Sequence, residues 1–118
     1  MSYHRLLTAT IPAGETTSTP INLHQRPDYS SPVTLTGVTI DTINGNQIHF
    51  EVDPGDGVWR EQYADGEELH YKVASNQSIC LNAMQFQAWK RVRFFFTNGS
   101  NAQTQDAERT IQVSTRTT

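Results

Sequence analysis

The amino-acid sequence predicts an all-β fold, a single antiparallel β-sandwich or jelly-roll-like domain of about eight short strands. Apolar and polar residues alternate over short runs, turn-forming clusters recur at intervals of about ten residues, and no segment has the length of an ordinary helix. The 118 residues fit one domain. We expect an N-terminal extended arm or first strand at 1–12, the β-sandwich domain at 13–113 and a flexible C-terminal tail at 114–118.

The first part of the chain is extended and interrupted by turns. "RLLTATI" (5–11) is rich in β-forming residues and is followed by Pro12. "VTLTGVTID" (33–41) alternates as far as Gly37, where a slip in the alternation predicts a β-bulge. The Asn44-Gly45-Asn46 sequence between two alternating runs is typical of a tight hairpin turn.

The middle of the chain contains two strands with a clear period of two. "QIHFEVD" (47–53) and "LHYKV" (69–73) each place apolar side chains on one face and polar side chains on the other. Asp65-Gly66 marks a turn between them. The residues predicted to face the core are Ile48, Phe50, Val52, Leu69, Tyr71 and Val73, and those predicted to face solvent are His49, Glu51, Asp53, His70 and Lys72.

The last third resumes the alternation after one interruption. "NAMQFQAW" (82–89) breaks the β pattern and predicts at most one helical turn, which Asn82 is suited to cap. "KRVRFFFTN" (90–98) and "RTIQVST" (109–115) then alternate as strands. Their predicted core residues are Val92, Phe94, Phe96, Ile111 and Val113.

The stretch from Asp53 to Gly57 raises the question of whether the protein does chemistry. It lies in the most acidic part of the chain, and calcium favours loops rich in oxygen ligands. Pro54-Gly55, however, interrupts the EF-hand spacing, and proline followed by glycines is what a turn between strands requires. We therefore predict a corner between two strands, with no metal, and Asp53 and Asp56 as the alternative cation ligands.

Charge and motif content predict neither catalysis nor nucleic-acid binding. The net charge is −3, whereas nucleic-acid-binding domains are usually strongly basic. The sequence has no nucleophile elbow, phosphate loop or dinucleotide fingerprint. The histidines at positions 4, 24, 49 and 70 lack the spacing of a zinc site, although His49 and His70 lie where they can face each other across neighbouring strands. We expect no enzymatic activity and no cofactor.

The single cysteine and the opening stretch bear on where the protein resides. Cys80 cannot form an internal disulfide, and its apolar neighbours predict a packed or half-packed side chain. "MSYHRLLTATIPAG" lacks the apolar run of a signal peptide or a membrane helix. These features predict a protein made in a reducing cytoplasm, with no membrane partner.

Two sets of side chains are candidates for binding. The first set lies on the strand at 90–98, on the face opposite the core. This face is either exposed to solvent or an interface for an acidic partner, because aromatic residues and arginine are enriched at interfaces. It comprises Arg91, Arg93 and Phe95. The second comprises aromatic residues that either pack in the core or form platforms for sugar rings: Trp59, Tyr63 and Trp89.

Several segments, in order, resemble a group of small virion proteins of tailed bacteriophages. They are "IPAG" (11–14), "FEVDPGDGVW" (50–59), "YADG" (63–66), "AWKRVRFFF" (88–96), "TNGS" (97–100) and "AERTIQV" (107–113). The phenylalanine run with the turn after it and the terminal Thr115–Thr118 depart from the family pattern. The resemblance implies a β-sandwich structural protein of the virion and does not separate head from tail.

The resemblance leads us to expect a capsid decoration, or cement, protein, which is made in the host cytoplasm and stabilises the head lattice from outside. The expected partners are the major capsid protein and further copies of the chain, as a homotrimer, because several modest contacts add to tight attachment. The arm is suited to add a strand to a capsid edge, and its removal is expected to leave a folded domain. The alternative is a carbohydrate-binding or adaptor module of a tail or fibre. The expected arm contacts are Leu6, Leu7 and Ile11.

Overall fold

Two antiparallel sheets and one small hairpin make up the computed structural model, which describes residues 4–23 and 33–117. No helix in these ranges is long and apolar enough to span a bilayer. The strands are β1 (His4–Ile11), β2 (Ile21–Asn22), β3 (Val33–Ile40), β4 (Gln47–Asp53), β5 (Arg60–Glu61), β6 (Tyr63–Ala64), β7 (Glu67–Glu68), β8 (His70–Lys72), β9 (Gln77–Cys80), β10 (Arg91–Asn98), β11 (Asn101–Ala102) and β12 (Arg109–Thr117).

The strand order is that of a jelly roll. The first sheet has the order β1-β12-β3-β9, and the second has the order β11-β10-β4-β5, with β2 also on β10 and β8 also on β4. β5 and β8 pair with successive parts of β4, on the same side of it, and the β6–β7 hairpin lies between them in the chain. β11 folds back on the end of β10 as a short hairpin partner. Apart from this hairpin and the return from β4 to β5 and β8 within the second sheet, the chain alternates between the two sheets as a jelly roll does. The predicted all-β sandwich is confirmed.

The core lies between the two sheets and consists of the side chains that the period of two directs inward. Phe50 is fully buried and meets the rings of Tyr71, Phe86 and Phe94 edge-on, at centroid distances of 6.1, 5.0 and 5.7 Å. All the residues predicted to face the core are buried except Tyr71, which is half-buried and packs against it. The first sheet contributes a fully buried set that includes Ala9, Ile11, Leu35, Ile40, Ile111 and Val113.

Two local predictions are confirmed. A 3-10 helix spans Ala83–Phe86, and the Asn82 side chain caps it by accepting a hydrogen bond from the Met84 N–H. The register between β3 and β12 shifts between Ser114 and Thr115, next to Gly37, as expected of a bulge. The helical turn places Phe86 in the core.

The prediction of a hairpin at 44–46 is wrong. The two flanking strands belong to different sheets, so the segment carries the chain across the sandwich. Gly45 has a φ of +129°, and a Cβ there would lie 2.9 Å from Phe96 Cβ. The Asn46 N–H donates to the Thr97 carbonyl, which ties the crossing to β10. Packing between the sheets therefore outweighs the local Asn-Gly preference.

The predicted arm and tail are both strands of the sandwich. All eight residues of β1 pair with β12, and Ala9 and Ile11 are fully buried, so we now expect that removal of this segment unfolds the domain. Residues 114–117 continue β12 between β1 and β3, and Thr115 is fully buried. Threonine recurs at every second position in this segment, at Thr115 and Thr117, and its β-branched side chain favours a strand that continues past the predicted boundary at residue 113.

Candidate functional site

Asp53 closes the corner between β4 and β5. Its Oδ1 atom accepts hydrogen bonds from the N–H groups of Gly55 and Gly57, at 2.7 and 3.1 Å. Its Oδ2 atom accepts two from the Arg91 guanidinium, at 2.9 Å from Nε and 2.6 Å from Nη2. Because β4 and β5 pair beyond this loop, the predicted corner is confirmed.

Both carboxylates of this loop are held by N–H donors. The Gly55 N–H, and after it the Arg91 guanidinium, lower the pKa of Asp53 from 3.8 to about 2. The pKa of Asp56 is also lowered, first by the Val58 N–H and then by Arg60. A cation would have to displace these donors from the same oxygen atoms. Within 4–23 and 33–117, no cluster of three His, Cys, Asp or Glu residues is arranged to hold a metal ion.

The outer face of the second sheet is an interlocked polar layer. Arg93 donates to Glu51 at 2.8 Å, alongside the Arg91–Asp53 pair. The Trp59 ring lies 4.6 Å from the Arg91 guanidinium carbon and 4.3 Å from that of Arg93. Both arginines of the first candidate binding set, Arg91 and Arg93, therefore pair with a carboxylate of the neighbouring strand β4.

His49 is stacked between two rings on the same face. Its centroid lies 5.4 Å from that of His70, its predicted cross-strand partner, and 5.2 Å from that of Phe95. Its Nδ1 atom lies 2.8 Å from Glu61 Oε2. The prediction that His49 and Asp53 face solvent is wrong, because they are only 7% and 2% exposed. Neighbouring rings and ion pairs on the outer face cover them.

A pocket of about 210 Å³ lies beside this stack. His49, Glu61, His70 and Phe95 contribute to its wall. The second ring nitrogen of His49 lies 3.4 Å from Gln47 Oε1, an amide oxygen and not a nucleophile. Glu61 and Gln47 together therefore hold both nitrogen atoms of the His49 ring.

The aromatic residues predicted as sugar platforms fall into two places. Tyr63 and Trp89 line one pocket of about 240 Å³, together with Pro54, Arg60 and Gln62. Trp59 is not among the residues lining this pocket, and it packs instead against the two arginines of the outer face. Tyr63 is 60% exposed, whereas Trp89 packs partly against the core.

β1 forms one edge of the first sheet. The Thr10 N–H and carbonyl bond to Thr19 on the side away from β12, at 3.1 and 2.8 Å. Because backbone groups alternate along an antiparallel strand, Leu6 and Thr8 direct theirs to the same open side. No strand in the described part of the chain pairs there between His4 and Ala9.

The predicted arm contacts are distributed unevenly along this edge strand. Leu6 is 52% exposed and Leu7 is half-buried. Ile11 is fully buried, so its assignment as a contact residue is wrong. Cys80 is exposed, contrary to the packed or half-packed position predicted for it. His24 lies outside the described residues.

Sequence reasoning missed Gln62 and Gln85. Gln62 is 3% exposed and lies between β5 and β6, in a run of polar residues typical of a surface turn. Gln85 lies in the 3-10 helix, and its carbonyl accepts hydrogen bonds from the Gln62 amide and the Trp89 indole. The regular spacing of polar and apolar residues carries no signal for such contacts.

No protein-family model matches the chain, and no curated protein matches it. One solved structure with some likeness comes from work titled "Bacillus endospore appendages form a novel family of disulfide-linked pili". It is 12% identical, with a TM-score of 0.45, and the alignment covers 100% of this chain and 87% of that one. Another is the Yersinia pseudotuberculosis-derived mitogen, which is 6% identical with a TM-score of 0.43. The alignment covers 100% of this chain and 88% of the mitogen chain. Neither likeness bears on function.

Proposed function

We propose that this chain is a non-catalytic structural protein of a tailed-bacteriophage virion, which decorates the outer surface of the head and stabilises its lattice. The support is the ordered resemblance of its segments to small virion proteins, together with the sandwich fold. The carrying observation is the edge of β1, which no strand of residues 4–23 and 33–117 covers beyond β12, and where Leu6 is exposed and the backbone of Leu6 and Thr8 points away from the sheet.

Strand addition is the docking mode that this edge supports. An extended segment of a capsid subunit pairs with the outward N–H and carbonyl groups, and the exposed Leu6 side chain supplies an apolar contact. Copies on neighbouring subunits then reinforce one another through multivalency. Docking then uses the free edge of a strand within the domain rather than a separate extended arm, because β1 pairs with β12.

Proline substitution tests the docking mode. Thr8→Pro removes an N–H that faces away from β12, and edge strands tolerate proline at such positions. Thr8→Ala is the matched control, since it changes the side chain and keeps the N–H. In co-sedimentation with particles lacking the protein, we expect Thr8→Ala to bind like the wild type and Thr8→Pro to lose at least about tenfold in affinity.

Circular dichroism and thermal unfolding establish that both variants are folded before binding is compared. Equal binding of Thr8→Pro and Thr8→Ala would reject the edge as the docking site. Antibody labelling of intact particles tests the function itself, because label confined to the tail, or absent from the particles, would reject head decoration.

A carbohydrate-binding module of a tail or fibre is the second candidate function. It is favoured by the shared pocket of Tyr63 and Trp89, two of the three aromatic residues predicted to contact sugars. A glycan array probed with the purified chain tests it. Binding that is lost in Tyr63→Ala and kept in Met84→Ala, an exposed control outside the pocket lining, would favour this function.

A further inference from the structure

The outer face of the second sheet holds two of the chain's own arginine side chains in the same way. The Arg91 guanidinium lies 2.6 Å from the Asp53 carboxylate and 4.6 Å from the Trp59 ring centroid. The Arg93 guanidinium lies 2.8 Å from the Glu51 carboxylate and 4.3 Å from the same ring centroid. A guanidinium group is planar, so it can stack on a ring while its N–H groups bond to a carboxylate. A carboxylate beside a ring is therefore the arrangement that binds arginine on this face.

The pocket of about 210 Å³ on this face has carboxylates and rings in its lining but no arginine. Glu61 and Glu68 line it, and so do the aromatic rings of His70 and Phe95. Phe95 occupies the next outward-facing position of β10 after Arg93. Among residues 4–23 and 33–117, no lysine or arginine lines this pocket or forms an ion pair with either glutamate. The pocket is therefore negatively charged.

Several hydrogen-bond donors around the pocket are already directed at oxygen atoms of the chain. The two ring nitrogens of His49 lie 2.8 Å from Glu61 Oε2 and 3.4 Å from Gln47 Oε1. The His70 Nδ1–H donates to the Glu68 carbonyl at 3.0 Å. In the described part of the chain, Glu61 Oε1 and the Glu68 carboxylate accept no hydrogen bond from a side chain. The pocket thus offers free acceptors, which suits a cationic ligand with several N–H groups.

The size and depth of the pocket suit one side chain. Its volume lies below the roughly 300–1,000 Å³ typical of pockets for drug-sized ligands. The Glu61 side chain is only 30% exposed, so water screens its charge less than it screens a fully exposed carboxylate. Lys72 lies two residues beyond His70 on β8 and lines a different pocket.

We propose that this pocket binds the guanidinium group of an arginine side chain on a partner protein, which stacks on a ring of the lining and pairs with Glu61 and Glu68. The inference goes beyond the proposed function, because it concerns the second sheet and does not depend on what the β1 edge binds. It also reverses the partner expected from the sequence. The arginines of the first candidate binding set are paired within the chain, and the charge at the pocket fits a basic segment, not an acidic one.

Titration of the ¹⁵N-labelled chain with Nα-acetyl-L-arginine amide tests the proposal. We expect a Kd of about 1–10 mM, as suits a single side chain, and shifts of the His70, Phe95 and Ser100 amide signals. Nα-acetyl-L-citrulline amide is the matched control, since its urea group has the same shape and no charge, and it should bind about tenfold more weakly. Nα-acetyl-L-lysine amide should also bind more weakly, because an ammonium group is not planar and cannot stack in this way.

Glu68→Gln and Glu67→Gln are a matched pair of variants. The two glutamates are neighbours in β7, and both are exposed, but only Glu68 lines the pocket. Each substitution removes one negative charge, so a general effect of net charge would be equal in both. We expect Glu68→Gln to weaken arginine binding about threefold and Glu67→Gln to leave it unchanged.

Glu61→Gln removes the half-buried charge and keeps an oxygen atom that can accept from His49. We expect it to weaken arginine binding about tenfold. Thermal unfolding shows whether the three variants are folded. The comparison of the two exposed glutamates decides the proposal even where Glu61→Gln disturbs the His49 ring.

A peptide with glycine on both sides of the arginine, acetyl-Gly-Arg-Gly amide, tests whether the ligand belongs to a protein. We expect it to bind at least as tightly as the arginine amide, and failure of the peptide alone to bind would reject a protein partner. Equal binding of the arginine and citrulline compounds, or an equal loss in the two exposed variants, would reject pairing with the pocket carboxylates. Equal affinity for arginine and lysine would reject the guanidinium group as the ligand. If none of the compounds shifts the three signals, the pocket is not a binding site for this group.

Discussion

At the scale of the residue, polar side chains hold one another in place on the outer face of the second sheet, and apolar side chains pack together on its inner face. Asp53 accepts four hydrogen bonds from the backbone and Arg91, and it is almost completely buried. Trp59 lies against both guanidinium groups and shields them from water. The hydrogen bonds of Asp53 and the contact of Trp59 with both guanidinium groups together hold the corner loop against β10.

Acid should weaken the fold through Asp53. Its folded pKa of about 2 lies below its ordinary value of 3.8, so its stabilising contribution is complete above about pH 4 and is lost as the pH falls towards 2. Thermal unfolding of the wild type and Asp53→Asn should show a clear gap in Tm at pH 7 that narrows between pH 4 and pH 2.

Asp56→Asn is the control for this comparison. The Asp56 carboxylate is about half exposed and its pair with Arg60 is on the surface, so solvent screens it and the Tm should change little. A gap for Asp53→Asn that stays constant down to pH 2 would contradict the role assigned to the Asp53 carboxylate.

At the scale of the element, sheet pairing decides structures that local sequence signals leave open. Asn44-Gly45-Asn46 resembles a hairpin turn, yet it joins strands of different sheets. The Thr-rich C-terminus resembles a tail, yet β12 runs on between two strands with Thr115 buried. In both places, contacts distant in the chain outweigh the local preference.

Gly45 and Gly55 make a matched pair that tests the sheet-to-sheet crossing. Both have a positive φ, +129° and +124°, so alanine brings similar backbone strain at each. Only at Gly45 would the new Cβ meet Phe96 Cβ at 2.9 Å, while the space at Gly55 is open. We expect Gly45→Ala to lower the free energy of unfolding by about 1–3 kcal/mol more than Gly55→Ala, as measured by urea denaturation.

Equal effects of the two alanines would show that the crossing segment does not pack against β10 as described. The same measurement at Met84, which is 78% exposed, provides the baseline for a surface substitution.

Deletion of residues 1–12 should unfold the protein. All eight residues of β1 pair with β12, and β1 contributes two fully buried side chains, Ala9 and Ile11. Their removal exposes the edge of β12 and opens the core. We expect loss of the cooperative thermal transition and aggregation in size-exclusion chromatography, and a monomeric deletion variant with the wild-type Tm would contradict the placement of β1.

At the scale of the whole molecule, the fold follows from the alternating pattern more directly than the candidate sites do. Phe50, Phe94 and Val113 were predictable because a strand with one buried face must alternate. His49 and Asp53 were mispredicted because alternation identifies the face opposite the core but does not say whether neighbouring side chains bury that face. Gln62 was missed because its burial depends on the distant 3-10 helix.

The shared core makes stability depend on single large side chains. Phe50→Ala removes a ring in edge contact with three others and should lower the free energy of unfolding by about 3–5 kcal/mol. That is a large part of the roughly 5–15 kcal/mol that stabilises an ordinary domain. Chemical denaturation measures it, and a loss below about 1 kcal/mol would contradict a common core between the two sheets.

Amide hydrogen exchange, with and without the particle, tests the central claim most directly. In the free protein, Leu7 and Ala9 should be protected by β12, whereas Leu6 and Thr8 should exchange rapidly at the open edge. On the particle, the account predicts that the Leu6 and Thr8 amides become at least about tenfold slower, because a partner strand occupies them. Rapid exchange of both amides in the bound protein would contradict docking through β1.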